Sequence, residues 1–528
     1  VITANPCDRG VVLCAPESGS PAASAQRWVL LASVLGSSMA FIDGTVVNVA
    51  LPALQRELGA TITDVQWVVE AYSLFLAALI LVGGSLGDRY GRRRVFAWGT
   101  AVFAAASATC ALAGDPRVLI MARAVQGIGA ALLVPGSLAL ISAAFPERER
   151  GRAIGTWSAF SAITAALGPV FGGWLIEHVS WRWAFFVNIP IAAAVIALLF
   201  WRVPESRDPE VSGPLDAGGA ALASLGLGGI VFGLIESSHY GWSDRRIVGA
   251  LGLGVLASIA FVWVERRAAA PMVPFALFRS RDFLGTNLLT LFLYGALGAA
   301  FFFLPLVLIQ VHGYSGTQAG ASLLPLVILI SVLSRWSGGL IVRFGPRLLL
   351  VAGPLVAAIG FALMAAPGIG GGYWRTFFPA TVVLGLGMAI TVAPLTTTVM
   401  NSVPTHQAGV ASGINNAASR IAGLIAIAVM SLVVVHVFDA EMSRRLAVMR
   451  SRPEIVRALD AERPKLAAAQ PPAIATPAER LAIRDAIQES FVRGFRATAW
   501  LAAALALMSA GVAALMIAGA GPRATVET

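Results

Sequence analysis

The chain has 528 residues, 57% of them hydrophobic and 12% charged, with a mean hydropathy of +0.78. Soluble domains carry roughly a quarter charged residues, so this composition excludes a water-soluble protein and indicates a polytopic membrane protein. The formal charge of +10 would suggest nucleic acid only if the basic residues gathered on a soluble face; they fall in short loops between apolar runs, so they read as topology signals and no nucleic-acid partner is expected.

Residues 1–27 form a Gly/Ser/Pro-rich tail, expected to be disordered and cytoplasmic, whose apolar stretch is too short for a cleaved signal. Cys7, Cys14 and Cys110 offer no disulfide framework and no ligand spacing, so no metal is expected. A spanning helix needs about 20 mostly apolar residues. Runs of that kind fall near 28–51, 65–86, 95–114, 117–144, 153–178, 183–202, 216–237, 247–264, 284–311, 317–341, 348–366, 376–400, 410–437 and 496–519, which is fourteen. The seventh and eighth are Gly-rich and could hide a re-entrant segment. The expected fold is therefore all-α, with 28–202 as a first six-helix half, 203–283 as an inserted helix pair with cytoplasmic linkers, 284–519 as a second half, and 520–528 as a tail.

One set of alternate loops holds fifteen arginines and the other six, which makes the first set cytoplasmic and puts both termini inside. The charged stretch 438–494 is the exception on the outer side; it reads as a partly helical cap or hairpin of unassigned role. GSLGDRYGRRR from Gly84 realigns with GGLIVRFGPRL from Gly338 at an offset of 254, matching Gly91 with Gly345. Gly127, Gly129, Pro146, Gly151, Ala153 and Gly155 recur 258 residues later as Gly385, Gly387, Pro404, Gly409, Ala411 and Gly413. Two parallel six-helix halves are one of the plans of secondary transporters, with the site between the halves near the midplane.

At these residues the chain resembles the major facilitator superfamily, and within it the fourteen-span drug:proton antiporters of multidrug-efflux type. Gly84, Asp88, Arg89, Gly91, Arg92 and Arg93 match the loop 2/3 signature, which implies a conformational latch. Val342 stands where Asp88 would fall in the second half, so any charge latch is lopsided. LIMARAVQGIGAA supplies the helix 4 pattern. Gly168, Pro169, Gly172 and Gly173 match the helix 5 antiporter motif, although Thr164 stands where a further small Gly is usual. Small side chains at four-residue spacing permit close helix contact, and the resemblance implies that this face seals the path against leak. FIDGTVVNVALP resembles the helix 1 pattern, and WRWAFFVNIP the start of helix 6.

Three charges lie inside the first half. Arg123 is six residues past Arg117, Glu70 six past Asp64, and Asp43 nine before Pro52, which puts all three at roughly 9–13 Å from the same side at 1.5 Å per residue. Ionisable residues at such depth are functional candidates. Two carboxylates and one guanidinium in low dielectric cannot all be comfortably ionised, so one acid is the proton-carrier candidate, and the resemblance points to Asp43. The second half has no matching acid: the position aligned with Asp43 falls in Gly295–Ala299. Substrate contact is expected from Asn48, Trp67, Tyr72, Phe75, Gln126, Tyr294, Phe301, Phe302, Asn416 and Arg420.

The reading is a monomeric proton-driven exporter of amphiphilic, hydrophobic or cationic compounds in the cytoplasmic membrane, with protons, a small amphiphile and the bilayer as partners. No phosphate-binding loop or nucleotide-binding domain is present, so ATP drive is not expected; the chain is expected to be no enzyme and, driven by the proton gradient, to use no cofactor. A nutrient facilitator or importer on the same fold, and a non-transporting sensor or scaffold, remain as alternatives.

Overall fold

A computed structural model describes residues 23–207, 216–268, 271–404 and 407–518. Cys7, Cys14, most of the predicted tails and parts of two linkers lie outside them. The described residues are helical and contain no strand.

The first half comprises α1 (Ala23–Leu58), α2 (Ile62–Tyr90), α3 (Arg92–Leu112), α4 (Pro116–Ala144), α5 (Glu147–His178) and α6 (Trp183–Arg202). The first helix begins earlier than predicted, inside the stretch assigned to the tail. The inserted pair is α7 (Ala217–Tyr240) and α8 (Arg245–Glu265); both are continuous helices, so the re-entrant alternative is set aside. They pack through small residues, with Gly229 against Gly254 and Gly226 against Ser258, as expected where backbones approach closely in a membrane.

The second half begins with α9 (Arg281–Val311). The helix Leu324–Met364 bends at Gly345, whose φ of 74° and ψ of 161° are non-helical, and this divides it into α10 (316–344, including the short opening helix Gly316–Ala321) and α11 (346–364). Then follow α12 (Phe377–Asn401), α13 (Ala408–Val448) and α14 (Pro477–Met516). Thirteen helices among the described residues are long and apolar enough to cross a membrane. The 32-residue helix α5 stands at the place of the expected fifth span.

The repeat reappears as matched contacts. Gly91 and Gly345 both take positive φ, 109° and 74°, where the chain turns between spans; only glycine adopts this cheaply. A methyl on Gly127 would collide with Tyr72, and one on Gly385 with Leu326; one on Gly129 would meet Phe103, and one on Gly387 would meet Ala357. Tyr72 and Leu326, like Phe103 and Ala357, are themselves related by the 254-residue offset. The α4 contacts on α2 and α3 are thus rebuilt as α12 contacts on α10 and α11.

Two helices run much further than their apolar runs. α13 has 41 residues and α14 has 40, about 60 Å each at 1.5 Å per residue, roughly twice the hydrocarbon thickness. A scan for apolar residues stops where charges begin, yet these charges are paired. Glu441 accepts from Arg444 at 2.5 Å, Arg445 at 2.7 Å and Arg493 at 3.1 Å, and Arg445 also pairs with Glu489. A short helix (Pro453–Asp460) and a 3-10 turn (Arg463–Ala468) close the hairpin over buried Ile455, Leu459 and Leu466.

Candidate functional site

Caps set the depth of the polar side chains. Thr61 and Asp64 form a capping box at the start of α2, Thr61 Oγ1 accepting from the Asp64 N–H at 3.1 Å and Asp64 Oδ2 from the Thr61 N–H at 2.8 Å. Asp115 Oδ1 accepts the N–H groups of Arg117 at 2.9 Å and Val118 at 3.1 Å, with Pro116 as the first helical residue of α4. Two to three turns further on, α4 delivers Arg123 and Gln126 to the interior.

Arg123 Nη1 lies 2.5 Å from Asp43 Oδ2 on α1 and 2.6 Å from Gln126 Oε1. Gln126 Nε2 donates to Asp43 Oδ1 at 2.8 Å and to Ser107 Oγ on α3 at 2.7 Å. Asn188 on α6 donates to the same two acceptors at 3.4 and 3.2 Å. Arg123 Nε donates to the Val68 carbonyl on α2 at 2.9 Å, and its guanidinium stacks 4.2 Å from the Tyr72 ring centroid. Asp43 is fully buried and Arg123 is 1% exposed. A buried charge pair persists only when its remaining donors and acceptors are bonded as well, and five helices supply those bonds.

Glu70 does not join this cluster. It lies two residues before Tyr72, hence about 200° around the helix at 100° per residue, on the opposite face from Arg123. It is fully buried, and neither carboxylate oxygen bonds to a described residue. Its neighbours Trp67 and Leu74 pack on α7 and α13 through Val231, Leu234, Leu424 and Ala428. A shared depth along the helices does not fix azimuth, and it is the azimuth that separates Glu70 from Arg123.

Beside the cluster lies a cavity of about 220 Å³ between the halves, lined by Phe41, Gly44, Thr45, Val47 and Asn48 of α1, Val69, Tyr72 and Ser73 of α2, Arg123 of α4 and Arg420 of α13, with Ala40 and Val134. On the predicted outer face the halves meet. Gln310 Nε2 donates to Gln55 Oε1 at 2.7 Å, and Thr317 Oγ1 to Glu177 Oε2 at 2.7 Å. Methyls on Gly168 and Gly172 would strike Thr45 and Val46 of α1, while Gly173 and Pro169 approach the backbone of Gly316 and Gly320 on α10. The motif's small face is therefore where α5 contacts both its own half and the opposite one.

A sequence profile described as Major Facilitator Superfamily matches residues 33–427. The chain belongs to the Major Facilitator Superfamily. It is 34% identical over 490 residues to the tetracenomycin C resistance and export protein of Streptomyces glaucescens, covering 92% of this chain and 90% of that one. It is 34% identical over 510 residues to the multidrug resistance protein Stp of Mycobacterium tuberculosis, covering 94% and 91%. Among solved structures, an inward-facing, unoccupied bacterial homolog of the human lysosomal transporter Spinster aligns with a TM-score of 0.64 at 18% identity, covering 93% of this chain and 98% of that one; this likeness concerns the fold.

The superfamily's loop 2/3 motif forms its described ion pairs within the first half and its linker. Asp88 pairs with Arg92 at 2.8 Å, while Glu205, just past α6, accepts the Arg93 N–H at 3.0 Å and lies 3.7 and 3.6 Å from Arg93 Nε and Arg94 Nε. Gly91 leaves room for that carboxylate, which a methyl would meet at 2.8 Å. In this conformation the Arg93 and Arg94 contacts with Glu205 hold loop 2/3 to the exit of α6. Arg89 lies over the Tyr90 ring, 5.7 Å from its centroid.

Of the expected substrate contacts, Asn48, Tyr72 and Arg420 line the cavity, and Asn416 Oδ1 accepts from Arg420 Nε at 3.1 Å. Gln126 serves the ion pair. Trp67 turns away to α7, its Nε1 donating to Glu236 Oε1 at 2.8 Å. Phe75 packs on Gly127 of α4. Phe302 is fully buried against Phe303, and Phe301 and Tyr294 pack on the same core rather than on this cavity. Aromatic identity does not say which way a helix faces. Ser107 and Asn188 were missed. Their signal is faint: single polar residues in the apolar runs of α3 and α6, of the kind that bond across helices in membranes.

Proposed function

We propose that this chain is a proton-driven exporter of amphiphilic, drug-like compounds, held as a monomer in the cytoplasmic membrane with both termini inside. Membership of the superfamily and the resistance and export functions of its relatives support export. The carrying observation is the wholly buried Asp43–Arg123 pair against a cavity between the halves. As a carboxylate Asp43 accepts from Arg123, Gln126 and Asn188; once protonated it must donate one proton and has lost its charge. Arg123 keeps Val68, Gln126 and the Tyr72 ring, but its charge is no longer matched. Uptake of a proton from outside thus changes the relative stability of the two arrangements of the halves, and a ligand that prefers one of them completes the exchange.

The test uses everted vesicles with an acidified lumen and a dye that reports it. Adding substrate to the wild type should dequench the dye, and Asp43→Asn should abolish this response while the protein still inserts. Equal responses from both proteins would rule Asp43 out as the coupling residue.

A further inference from the structure

The cavity wall carries two guanidiniums and no carboxylate. Arg123 is neutralised by Asp43 at 2.5 Å, and Asp43 is spent on that pair and its two amide donors. Arg420, on the opposite half, has no acidic partner among the described residues. Its hydrogen bond among the described residues runs from Nε to the neutral Asn416 Oδ1 at 3.1 Å, and the residue lines the cavity. A guanidinium in a membrane bundle is costly unless something pairs with it, and its planar fork matches a carboxylate or another flat oxyanion. The rest of the wall combines apolar and aromatic side chains, Phe41, Val47, Val69 and Tyr72 among them, with the neutral polar groups of Thr45, Asn48 and Ser73.

We infer that the compounds this cavity selects are amphiphiles bearing an acidic group, a carboxylate or an ionised phenol, whose anion pairs with Arg420 while the ring system lies against Phe41 and Tyr72. The inference rests on the export reading and reverses one part of the sequence-based expectation, since a cationic compound would meet an unmatched like charge. It also assigns the two cations different work. Arg123 holds the proton site and Arg420 reads the cargo. An outward-moving anion is further assisted by an inside-negative membrane potential, which a cation must oppose.

The experiment compares three probes of one shape, anthracene-2-carboxylate, its primary amide and anthracen-2-ylmethylammonium, by export into everted vesicles and by fluorescence binding to purified protein. The wild type should favour the acid over the amide, and the amide over the ammonium. Arg420→Gln should shrink the acid-to-amide ratio by about tenfold or more, the scale of a lost charge-assisted bond, whereas Arg420→Lys, which keeps the charge and loses the fork, should fall between Arg420→Gln and the wild type. Equal binding of the three probes by the wild type, or an Arg420→Gln variant that weakens all three alike while eluting as folded protein, overturns the inference. If no probe is exported beyond an Asp43→Asn control, the export reading fails, and the binding ratios still decide the preference for acids.

Discussion

The two halves use one scaffold and fill it with opposite contents. At the repeat offsets, Ser107, Arg123 and Gln126 correspond to Phe361, Thr381 and Leu384, all buried. Where Asp43 stands in α1, α9 has Gly295 and Gly298, against which Ala422 and Gly423 of α13 pack closely. The second half's own polar residues bond locally: Asn415 Nδ2 donates to Thr290 at 2.8 Å and Asn287 at 3.3 Å, tying α13 to α9. The same helix geometry therefore tolerates either a satisfied charge network or a dry, small-residue contact. The charge network is not needed to build a half, so it is retained for what it does.

The largest effects should come from making the first half resemble the second. Arg123→Thr leaves Asp43 as an unpaired buried charge and should cost about 3–5 kcal/mol, as breaking a buried pair usually does. Asp43→Leu strands Arg123 by a similar amount. The double variant removes both charges and should recover most of the thermal stability lost by either single variant, measured by melting in detergent, without recovering proton-linked export. Recovery of both would mean that the pair is structural and that the halves differ in packing alone.

How much of this contrast was legible in the sequence depends on the kind of residue. Glycines at a fixed offset announce backbone contacts, because nothing else fits there, and the α4/α12 contacts followed from them. Asp43 and Arg123 were legible because ionisable residues in apolar runs have few alternatives to pairing with one another. Glu70 and Trp67 were misplaced for a common reason: at 100° per residue a helix position fixes depth, whereas azimuth depends on neighbours, here α7 of the inserted pair, whose packing on α2 no motif reports. A partly helical hairpin was expected over 438–494, but its continuity with α13 and α14 was not, because a hydropathy scan treats charges as an end to the span although paired charges continue a helix.

An intermediate effect should test whether the scaffold is truly shared. Gly129→Ala places a methyl 2.6 Å from the Phe103 backbone nitrogen, and at the matched position Gly387→Ala places one against the Ala357 backbone nitrogen. Both neighbours are backbone and cannot swing aside, so each substitution should destabilise by about 1–3 kcal/mol, the usual cost of overpacking. The prediction concerns the match between the halves: melting temperatures of the two variants should fall by comparable amounts. A large loss in one half and none in the other would show that the sequence repeat no longer carries equal structural weight.

The smallest effect should come from Trp67, which looked like substrate wall and stands instead at the edge where α2 meets the inserted pair. Trp67→Phe keeps an aromatic ring near Phe232, whose centroid lies 6.1 Å from that of Trp67, and removes the indole N–H that donates to Glu236 together with part of the ring. The loss should be about 1.5 kcal/mol of stability, the low end for a hydrogen bond to a charged acceptor, with the acid-to-amide selectivity unchanged because no cavity-lining atom moves. Tyr72→Phe is the informative companion, since Tyr72 lies on the cavity face of the same helix and under Arg123. If Trp67→Phe altered probe selectivity more than Tyr72→Phe did, the cavity between α1, α2 and α13 would not be where cargo is read, and the contact between α2 and α7 would take its place.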